Sequence, residues 1–221
     1  MLRALSLAFH SLSDTRILAI LFKSIALTLL IFAGLGMVLW YGIDALFIRW
    51  GLNDDTVSAI AAAAIFIMSG AVLFRVIAIA ILWMFSDQIV DAVEDRHYHG
   101  VAAVATRPSL AQSAGMALRS VGRALGYNLL ALPVYIILLV TGVGTALAFL
   151  GVNALLLGRD LEDMLSARYG KEHAHMGRVQ RMLLGLAGTS AMFVPFVNLL
   201  VPVVITAMAV HMAHGTKRGI L

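Results

Sequence analysis

The stretch ALGYNLLALPVYIILLVTGVGTALAFLGVNALLLG, residues 124–158, decides the fold of this chain because none of its residues carries a formal charge. A single membrane helix needs about 20 apolar residues to cross a hydrocarbon core about 30 Å thick, and two crossings with a turn need about 40. The stretch fits neither length, and Gly142-Val143-Gly144 near its middle supplies residues that readily adopt positive φ. Two arms of about 15 residues each reach only about 22 Å. The pattern predicts a helical hairpin that enters the bilayer and returns to the same side.

A second stretch without formal charge, residues 182–216, repeats this arrangement. Its break is Pro195-Phe196-Val197-Asn198, where proline interrupts helical hydrogen bonding. Non-helical backbone at membrane depth persists only where it packs against protein or lines a wet cavity. We therefore expect a second re-entrant hairpin, and both turns are candidates for a transport path.

The composition is typical of a protein that resides in lipid. Of the 221 residues, 61% are hydrophobic and 13% are charged, and the mean hydropathy is +0.94. No soluble fold could bury so much apolar surface. We expect one polytopic membrane domain over residues 1–221, surrounded by the lipid bilayer. The first apolar segment has no cleavage site, so we expect no cleavable signal peptide. The chain has no cysteine, which excludes disulfides and thiolate metal sites.

Two ordinary membrane spans precede the interrupted stretches. Residues 24–43 carry no charge, and residues 56–85 carry Arg75 alone. The loop between them, 44–55, holds three aspartates and only one of the 16 Lys and Arg residues. By the positive-inside rule this loop faces away from the cytoplasm. We therefore expect both termini to be cytoplasmic, in a bacterial-type inner membrane. Hairpins that return to the side from which they entered also keep the basic segment 159–181 on the cytoplasmic side.

The predicted fold is an all-α integral membrane protein with two long transmembrane helices, two re-entrant helical hairpins and amphipathic cytoplasmic helices. The amphipathic segments are residues 1–13, 87–123 and 159–181. Within the second, Arg107-Pro108 predicts a new helix with proline at its start. Hairpins that do not cross the bilayer need protein neighbours around their tips, so we also expect a homo-oligomer.

Two motifs resemble those of a known family. The sequence NALLLGRDL at 153–161 is similar to N-x-Y-L-L-G-R-E, and PFVNLLVP at 195–202 is similar to P-x-x-N-L-x-x-P. These patterns belong to the CysZ sulfate permease family and its etoposide-induced-protein-type relatives. The shared order of two spans and two interrupted hairpins extends the resemblance over nearly the whole chain. It implies an all-helical fold with two hemi-penetrating hairpins and an activity in sulfate uptake for cysteine synthesis.

The resemblance also implies an anion-binding segment just before the first span. The family binds an anion there through a loop of the type P-G-x-R-R-F, using backbone N–H groups and arginine. The matching residues, SDTRI at 13–17, keep one arginine, lack the glycine and add Asp14. Thr15, Arg16 and Ile17 are thus implied as anion-binding residues. The alternative is a helix start capped by Asp14, because an aspartate N-cap satisfies the same N–H donors internally.

Four further residues are candidates for lining an ion path: Arg75, Asn153, Arg159 and Asn198. Arg75 lies within an apolar span, so it either lines a path or extends its charge to the nearer interface. Asn153 and Asn198 either cap turns or contact a hydrated ion. Arg159 leaves the first hairpin, where it either contacts the path or binds Asp160 or lipid headgroups.

The histidines carry little functional signal in the sequence. Histidines form two pairs, one at 97 and 99 and one at 173 and 175. On a helix, the two side chains of each pair would point about 200° apart. We expect solvated loop histidines, with a metal site as the alternative. His211 and His214 are expected to face the carbonyls at the end of the last helix. No nucleotide-binding loop, ATPase motif or nucleophile beside a base indicates an enzyme, a cofactor or a nucleic-acid partner.

Two functions remain open from the sequence. The first is a sulfate-permease-like transporter or channel for an inorganic anion, in which the hairpin turns and the cytoplasmic-side arginines form the route. The second is a non-transporting membrane scaffold of the same fold that binds partners through its cytoplasmic helices. Neutralising Arg16 and Arg75 discriminates the two, because only a transporter that uses these residues should lose its activity.

Overall fold

The computed structural model describes residues 2–50, 56–57, 60, 64–65, 77–98, 106, 108–170, 176–194 and 197–215. All regular structure in these residues is helical, which confirms the all-α prediction. The labelled helices are α1 (Leu2–Ser11), α2 (Thr15–Arg49), α3 (Ser86–His97), α4 (Leu110–Leu138), α5 (Val143–Tyr169), α6 (Arg178–Met192) and α7 (Val197–Gly215). A 3-10 turn, Leu139–Thr141, joins α4 to α5. The described residues from 56 to 84 are also helical.

The chain divides into two compact units. One consists of Leu18–Phe85, and the other combines Met1–Ile17 with Ser86–Leu221. The first unit contains most of α2, which exceeds the predicted span 24–43 at both ends because no proline interrupts it. The second unit contains α1 and α3 to α7. The prediction of a single membrane domain stays a prediction.

Within the described residues, four helices are long and apolar enough to cross a membrane. They are Thr15–Arg49, Ala111–Thr141, Val143–Tyr169 and Val197–His214. This finding identifies a membrane protein surrounded by lipid. The number of helices that cross completely, and the re-entrant geometry of the hairpins, stay predictions.

The first predicted hairpin turns where the glycines are. Gly142 has a φ of 64°, a value that glycine adopts without strain, and it separates α4 from α5. Ser109 caps α4 through a capping box with Gln112, so the predicted start at Pro108 is two residues too early. The helix then continues through Arg123 to Leu138. The predicted amphipathic helix and the first hairpin arm are therefore one continuous helix.

The second predicted hairpin also breaks near its proline. Helix α6 ends at Met192 and α7 begins at Val197, while Pro195 and Phe196 lie outside the described residues. The Asn198 backbone N–H donates to the Val194 carbonyl oxygen across the turn, at 3.1 Å.

Helix α7 is the core of the second unit. It packs against α1, α3, α5 and α6, and 78% of its window Val197–His214 is buried inside the protein. None of the corresponding window of Ala111–Thr141 is buried. The two hairpins that look alike in sequence therefore have different surroundings, because only the second is enclosed by other helices of this unit.

Helices α5 and α6 cross at a contact that depends on glycine. A Cβ added at Gly185 would lie 1.8 Å from the Ala154 carbonyl oxygen, and one at Gly158 would lie 2.2 Å from the Arg181 carbonyl oxygen. The two backbones touch because neither glycine has a side chain to separate them. This contact sets the position of the second hairpin against the first.

Candidate functional site

The predicted anion-binding segment lies in a cluster of two arginines and two aspartates, which we call the two-arginine cluster: Asp14, Arg16, Asp95 and Arg96. The Arg16 guanidinium lies 2.5 Å from the Asp95 carboxylate, and the Arg96 guanidinium lies 3.0 Å from the Asp14 carboxylate. The Arg16 backbone N–H also donates to Asp14, at 2.8 Å. The start of α2, from its cap Asp14 to Arg16, is thus held to α3 by two ion pairs.

The two-arginine cluster is open to water on the Arg16 side. The side chain of Arg16 is 64% exposed and that of Asp95 50%, whereas that of Asp14 is 13% exposed. Burial acts to raise the pKa of Asp14, but the hydrogen bond from the Arg16 backbone and the nearby Arg96 charge outweigh it, so its pKa lies below the ordinary value. Thr15 is exposed and the Ile17 side chain is buried.

A second charged group lies at the base of the first hairpin. The Arg123 guanidinium bridges Asp160 at 2.8 Å and Asp163 at 2.6 Å, which joins α4 to α5. The Ser120 hydroxyl also donates to Asp160, at 2.8 Å. Asp160 therefore pairs with Arg123 and not with its chain neighbour Arg159, contrary to one reading of the sequence.

Arg159 has a different partner. Its guanidinium donates to the Tyr127 hydroxyl at 2.9 Å, and within the described ranges no carboxylate lies in ion-pair distance of it. Its side chain is exposed at the junction between the charged base and the apolar part of α5. Among the described residues, the arginine thus has no carboxylate partner for its positive charge at the entrance of the hairpin.

Polar contacts continue from this base toward the turn. The Asn128 amide donates to the Ala124 carbonyl oxygen, and the Tyr135 hydroxyl donates to the Asn128 side-chain oxygen at 3.2 Å. Nearer the turn, the Thr145 hydroxyl donates to the Tyr135 carbonyl oxygen at 3.1 Å. These groups form a series of hydrogen bonds along an otherwise apolar hairpin. Asn128, Tyr135 and Thr145 are not among the predicted site residues, although they are polar residues of an apolar stretch.

The remaining path-lining candidates that the structure describes do not join one site. The Asn153 amide donates to the Phe149 carbonyl oxygen of its own helix at 2.8 Å, and Asn198 is buried in the first turn of α7. Arg75 lies outside the described residues. Among the described residues, no hydrogen bond or ion pair connects Arg16, Asn153, Arg159 and Asn198 with one another.

Sequence reasoning missed an ionic cluster formed by Asp87, Asp91, Glu94, Arg168 and His214, which we call the buried ionic cluster because Glu94, Arg168 and His214 are buried, whereas Asp87 is half-exposed. Arg168 of α5 contacts Asp91, approaches Asp87 at 3.3 Å, and lies 3.8 Å from Glu94. Glu94 lies 3.2 Å from His214 of α7. The three acidic residues are spaced i, i+4 and i+7, so they share one face of α3. That spacing was the signal available in the sequence, but it did not identify Arg168 as the partner of these carboxylates.

The histidine predictions are corrected by the same region. His214 contacts Glu94, and His211 lies 3.0 Å from the Tyr98 hydroxyl, so both face other helices and not terminal carbonyls. His97 is half-buried at the end of α3 with its ring 5.0 Å from that of His211, so it is not a solvated loop residue. Burial lowers the pKa of His97. The described part of the chain contains no group of three side chains suited to a metal ion, and residues 99, 173 and 175 lie outside it.

These features define a class: an all-helical membrane protein with charged clusters at the ends of long apolar helices. Residues 4–202 match the family described as Sulfate transporter CysZ/Etoposide-induced protein 2.4, and the chain belongs to this family. The resemblance of the two motifs is thereby confirmed, and the family is a transporter type and not a class of enzymes. Comparisons with curated proteins and with solved structures found no match.

Proposed function

We propose that this protein is an anion transporter or channel of a bacterial-type inner membrane, and that sulfate is its anion. Family membership over residues 4–202 supports a sulfate-transporter-like protein. The observation that carries the proposal is Arg159, an exposed arginine that donates to a hydroxyl at the base of an apolar hairpin. Such a charge attracts an anion to the membrane surface, and no carboxylate in the described part of the chain must first be displaced from it.

The hydrogen bonds along the first hairpin support a route beside it. Asn128, Tyr135 and Thr145 lie between the charged base and the turn, and each makes one of the contacts described above. Polar groups at membrane depth are costly unless they are bonded or reach water. We assign this row, together with the candidates Asn153 and Asn198, to the lining of the route.

The position of the charged base supports a hairpin that returns to the cytoplasmic side. Arg123 lies 15 residues before Leu138, the last residue of α4, which corresponds to about 22 Å of helix. A hydrocarbon core is about 30 Å thick. With Arg123, Asp160 and Asp163 at one interface, the turn ends inside the bilayer, and both termini are cytoplasmic.

A homo-oligomer fits the same geometry. Helix α4 exposes large apolar side chains on several faces, among them Leu125, Leu130 and Ile137. A hairpin tip within the bilayer needs protein around its turn to satisfy the backbone. Further copies of this chain would supply that protein and enclose the route.

The test is uptake of radiolabelled sulfate into proteoliposomes, with empty vesicles as the baseline. We expect saturable uptake that unlabelled sulfate competes away, and a loss of about tenfold in Arg159→Gln because one charge contact to a dianion is removed. Arg119→Gln is the matched control, since it removes an exposed arginine from the same hairpin. Equal loss in both variants would argue against a specific role for Arg159.

The alternative is the non-transporting scaffold. It is favoured by the pairing of Arg16 with Asp95, because a structural ion pair needs no substrate. Uptake equal to that of empty vesicles, from protein that unfolds cooperatively, would support this alternative. The variant Arg16→Ala should then change stability alone.

A further inference from the structure

We propose that the Tyr127 hydroxyl is a second anion contact, which donates to one oxygen of a tetrahedral oxyanion while Arg159 binds another. This inference rests on the proposed transport function, in which Arg159 attracts the anion, and it adds the residue that holds and orients that anion. Tyr127 lies on α4 and Arg159 on α5, so the two donors come from the two arms of the first hairpin.

The hydrogen bond between these two residues fixes the direction of the tyrosine proton. The Arg159 guanidinium donates to the Tyr127 oxygen at 2.9 Å, so the hydroxyl accepts in this bond and its own proton points elsewhere. Among the described residues, that proton has no acceptor within hydrogen-bond distance. Tyr127 is 39% exposed, which leaves the proton open to a ligand.

Tyr127 differs in this respect from the other hydroxyls of the first hairpin. Residues 120–158 contain five hydroxyl-bearing side chains. Four of them donate to acceptors of the chain itself: Ser120, Tyr135, Thr141 and Thr145. Polar groups of an apolar hairpin are normally paired in this way. A single hydroxyl that accepts from an arginine and directs its proton outward therefore indicates a ligand beside it.

The carboxylates nearest to Arg159 are held by other donors. The two oxygens of Asp160 accept from Arg123 and Ser120, each at 2.8 Å, and Asp163 accepts from Arg123 at 2.6 Å. Asp163 lies four residues after Arg159 and could otherwise pair with it along α5. Because Arg123 binds both aspartates, Arg159 keeps most of its N–H donors for a ligand.

The charge of Arg159 also makes the tyrosine a better donor. An O–H group whose oxygen accepts from a cation is polarised, so it donates more strongly than a free hydroxyl. A tetrahedral oxyanion presents several oxygens, and one can accept from the guanidinium while a second accepts from the phenol. Arg159 therefore supplies charge and positions the Tyr127 hydroxyl.

The experiment measures binding of inorganic sulfate to the purified full-length protein in detergent, by titration calorimetry. Tyr127→Phe removes only the hydroxyl, and we expect sulfate affinity to fall about fivefold because one hydrogen bond to a charged ligand is lost at a partly exposed site. Tyr41→Phe is the matched control, since it removes the hydroxyl of an exposed tyrosine on α2 and should leave the affinity unchanged.

Fluorotyrosine in place of Tyr127 separates direct contact from an effect through Arg159. A fluorinated phenol is a stronger hydrogen-bond donor and a weaker acceptor than tyrosine. If the hydroxyl donates to the anion, sulfate affinity should rise about twofold. If the hydroxyl only holds Arg159, the weaker acceptor should lower the affinity.

Unchanged affinity in Tyr127→Phe, an equal loss in Tyr41→Phe, or a lower affinity with fluorotyrosine would each overturn the proposal. Micelles containing phosphatidylglycerol test the other source of the same chemistry, and tighter binding of that headgroup than of sulfate would overturn a free anion as the ligand. Sulfate affinity that depends on Arg159 but not on Tyr127 would refute this inference alone. Absence of sulfate binding to the native protein would refute the proposed function as well.

Discussion

Arg168 is the residue on which the buried ionic cluster depends. Its side chain is 1% exposed and meets carboxylates of Asp91, Asp87 and Glu94, of which Glu94 is fully buried. A buried charge is costly when its partner is missing, whereas an exposed charge is solvated by water. Arg168 therefore contributes to stability mainly by compensating the negative charges of the α3 carboxylates.

We predict that Arg168→Met destabilises the protein by about 3 to 5 kcal/mol, because it leaves Glu94 buried with its negative charge uncompensated by arginine. The free energy of unfolding in detergent, from denaturant titration, measures this effect. Arg159→Met is the control, since its side chain is exposed and should change the value by about 0.5 kcal/mol or less. Similar losses in the two variants would contradict the role given to Arg168.

His97 predicts a dependence of stability on pH. Burial, followed by the charges of Arg96 and His10, lowers its pKa below 6.5, although the Val93 carbonyl and Asp14 act in the opposite direction. Below pH 6.5 the unfolded chain therefore takes up a proton that the folded chain resists, and stability falls as the pH falls. The variant His97→Gln has no titrating side chain at this position. The melting temperature of the native chain, measured relative to that of the variant, should therefore decrease between pH 7.5 and pH 5. A constant difference would show that His97 does not titrate in this way.

At the scale of elements, the crossing of α5 and α6 is decided by glycines. Gly158 and Gly185 bring backbone carbonyls of the partner helix to distances that no Cβ tolerates. Gly188 adds a third close approach, to Leu157 and Ile205. The first and second hairpins are thus joined by backbone contact. If an added Cβ breaks this contact, rearrangement of side chains cannot restore it.

Gly185→Ala should destabilise the protein by about 3 kcal/mol, because its Cβ would overlap the Ala154 carbonyl oxygen and force the helices apart. Thermal unfolding with circular dichroism measures the change. Gly151→Ala, on α5 itself, meets nothing within 4 Å and should be neutral or slightly stabilising through helix propensity. The prediction fails if the two alanine variants melt at the same temperature.

At the scale of the whole molecule, the two hairpins differ in what covers them. The window Ala111–Thr141 has no buried residue, and Val140 at its tip is 94% exposed, whereas α7 is enclosed by neighbouring helices. Lipid or further copies of the chain must therefore cover the first hairpin. The depth of its tip decides whether it crosses the bilayer.

Val140→Cys tests this depth directly, because the chain contains no other cysteine. We expect a membrane-impermeant maleimide to label it from neither side of the membrane, because about 22 Å of helix is shorter than a hydrocarbon core of about 30 Å. Val179→Cys, exposed beside Arg178, should be labelled from the cytoplasmic side in inverted vesicles. Labelling of residue 140 from the opposite side alone would indicate a complete crossing.

The local features of this chain could be predicted from the sequence. Charge-free stretches and mean hydropathy predict apolar helices, and Gly142 predicts the turn, because each depends on residues adjacent in the chain. The start of α4 was predicted two residues early, because Ser109 and Gln112 form a capping box that competes with the proline signal. The Asp14 cap of α2 is also local, as its bond to the Arg16 N–H shows.

The sequence by itself determined that the chain is helical, that it belongs in lipid, where its first hairpin turns, and which family it joins. Only the tertiary structure decided that Arg96 approaches Asp14, that Arg168 is buried among carboxylates of α3, and that α7 and not α4 forms the core of its unit. The physical reason is that hydropathy and turn preference act between neighbours along the chain. Charge pairing and burial depend on which helices meet, and here the paired residues are about 80 positions apart.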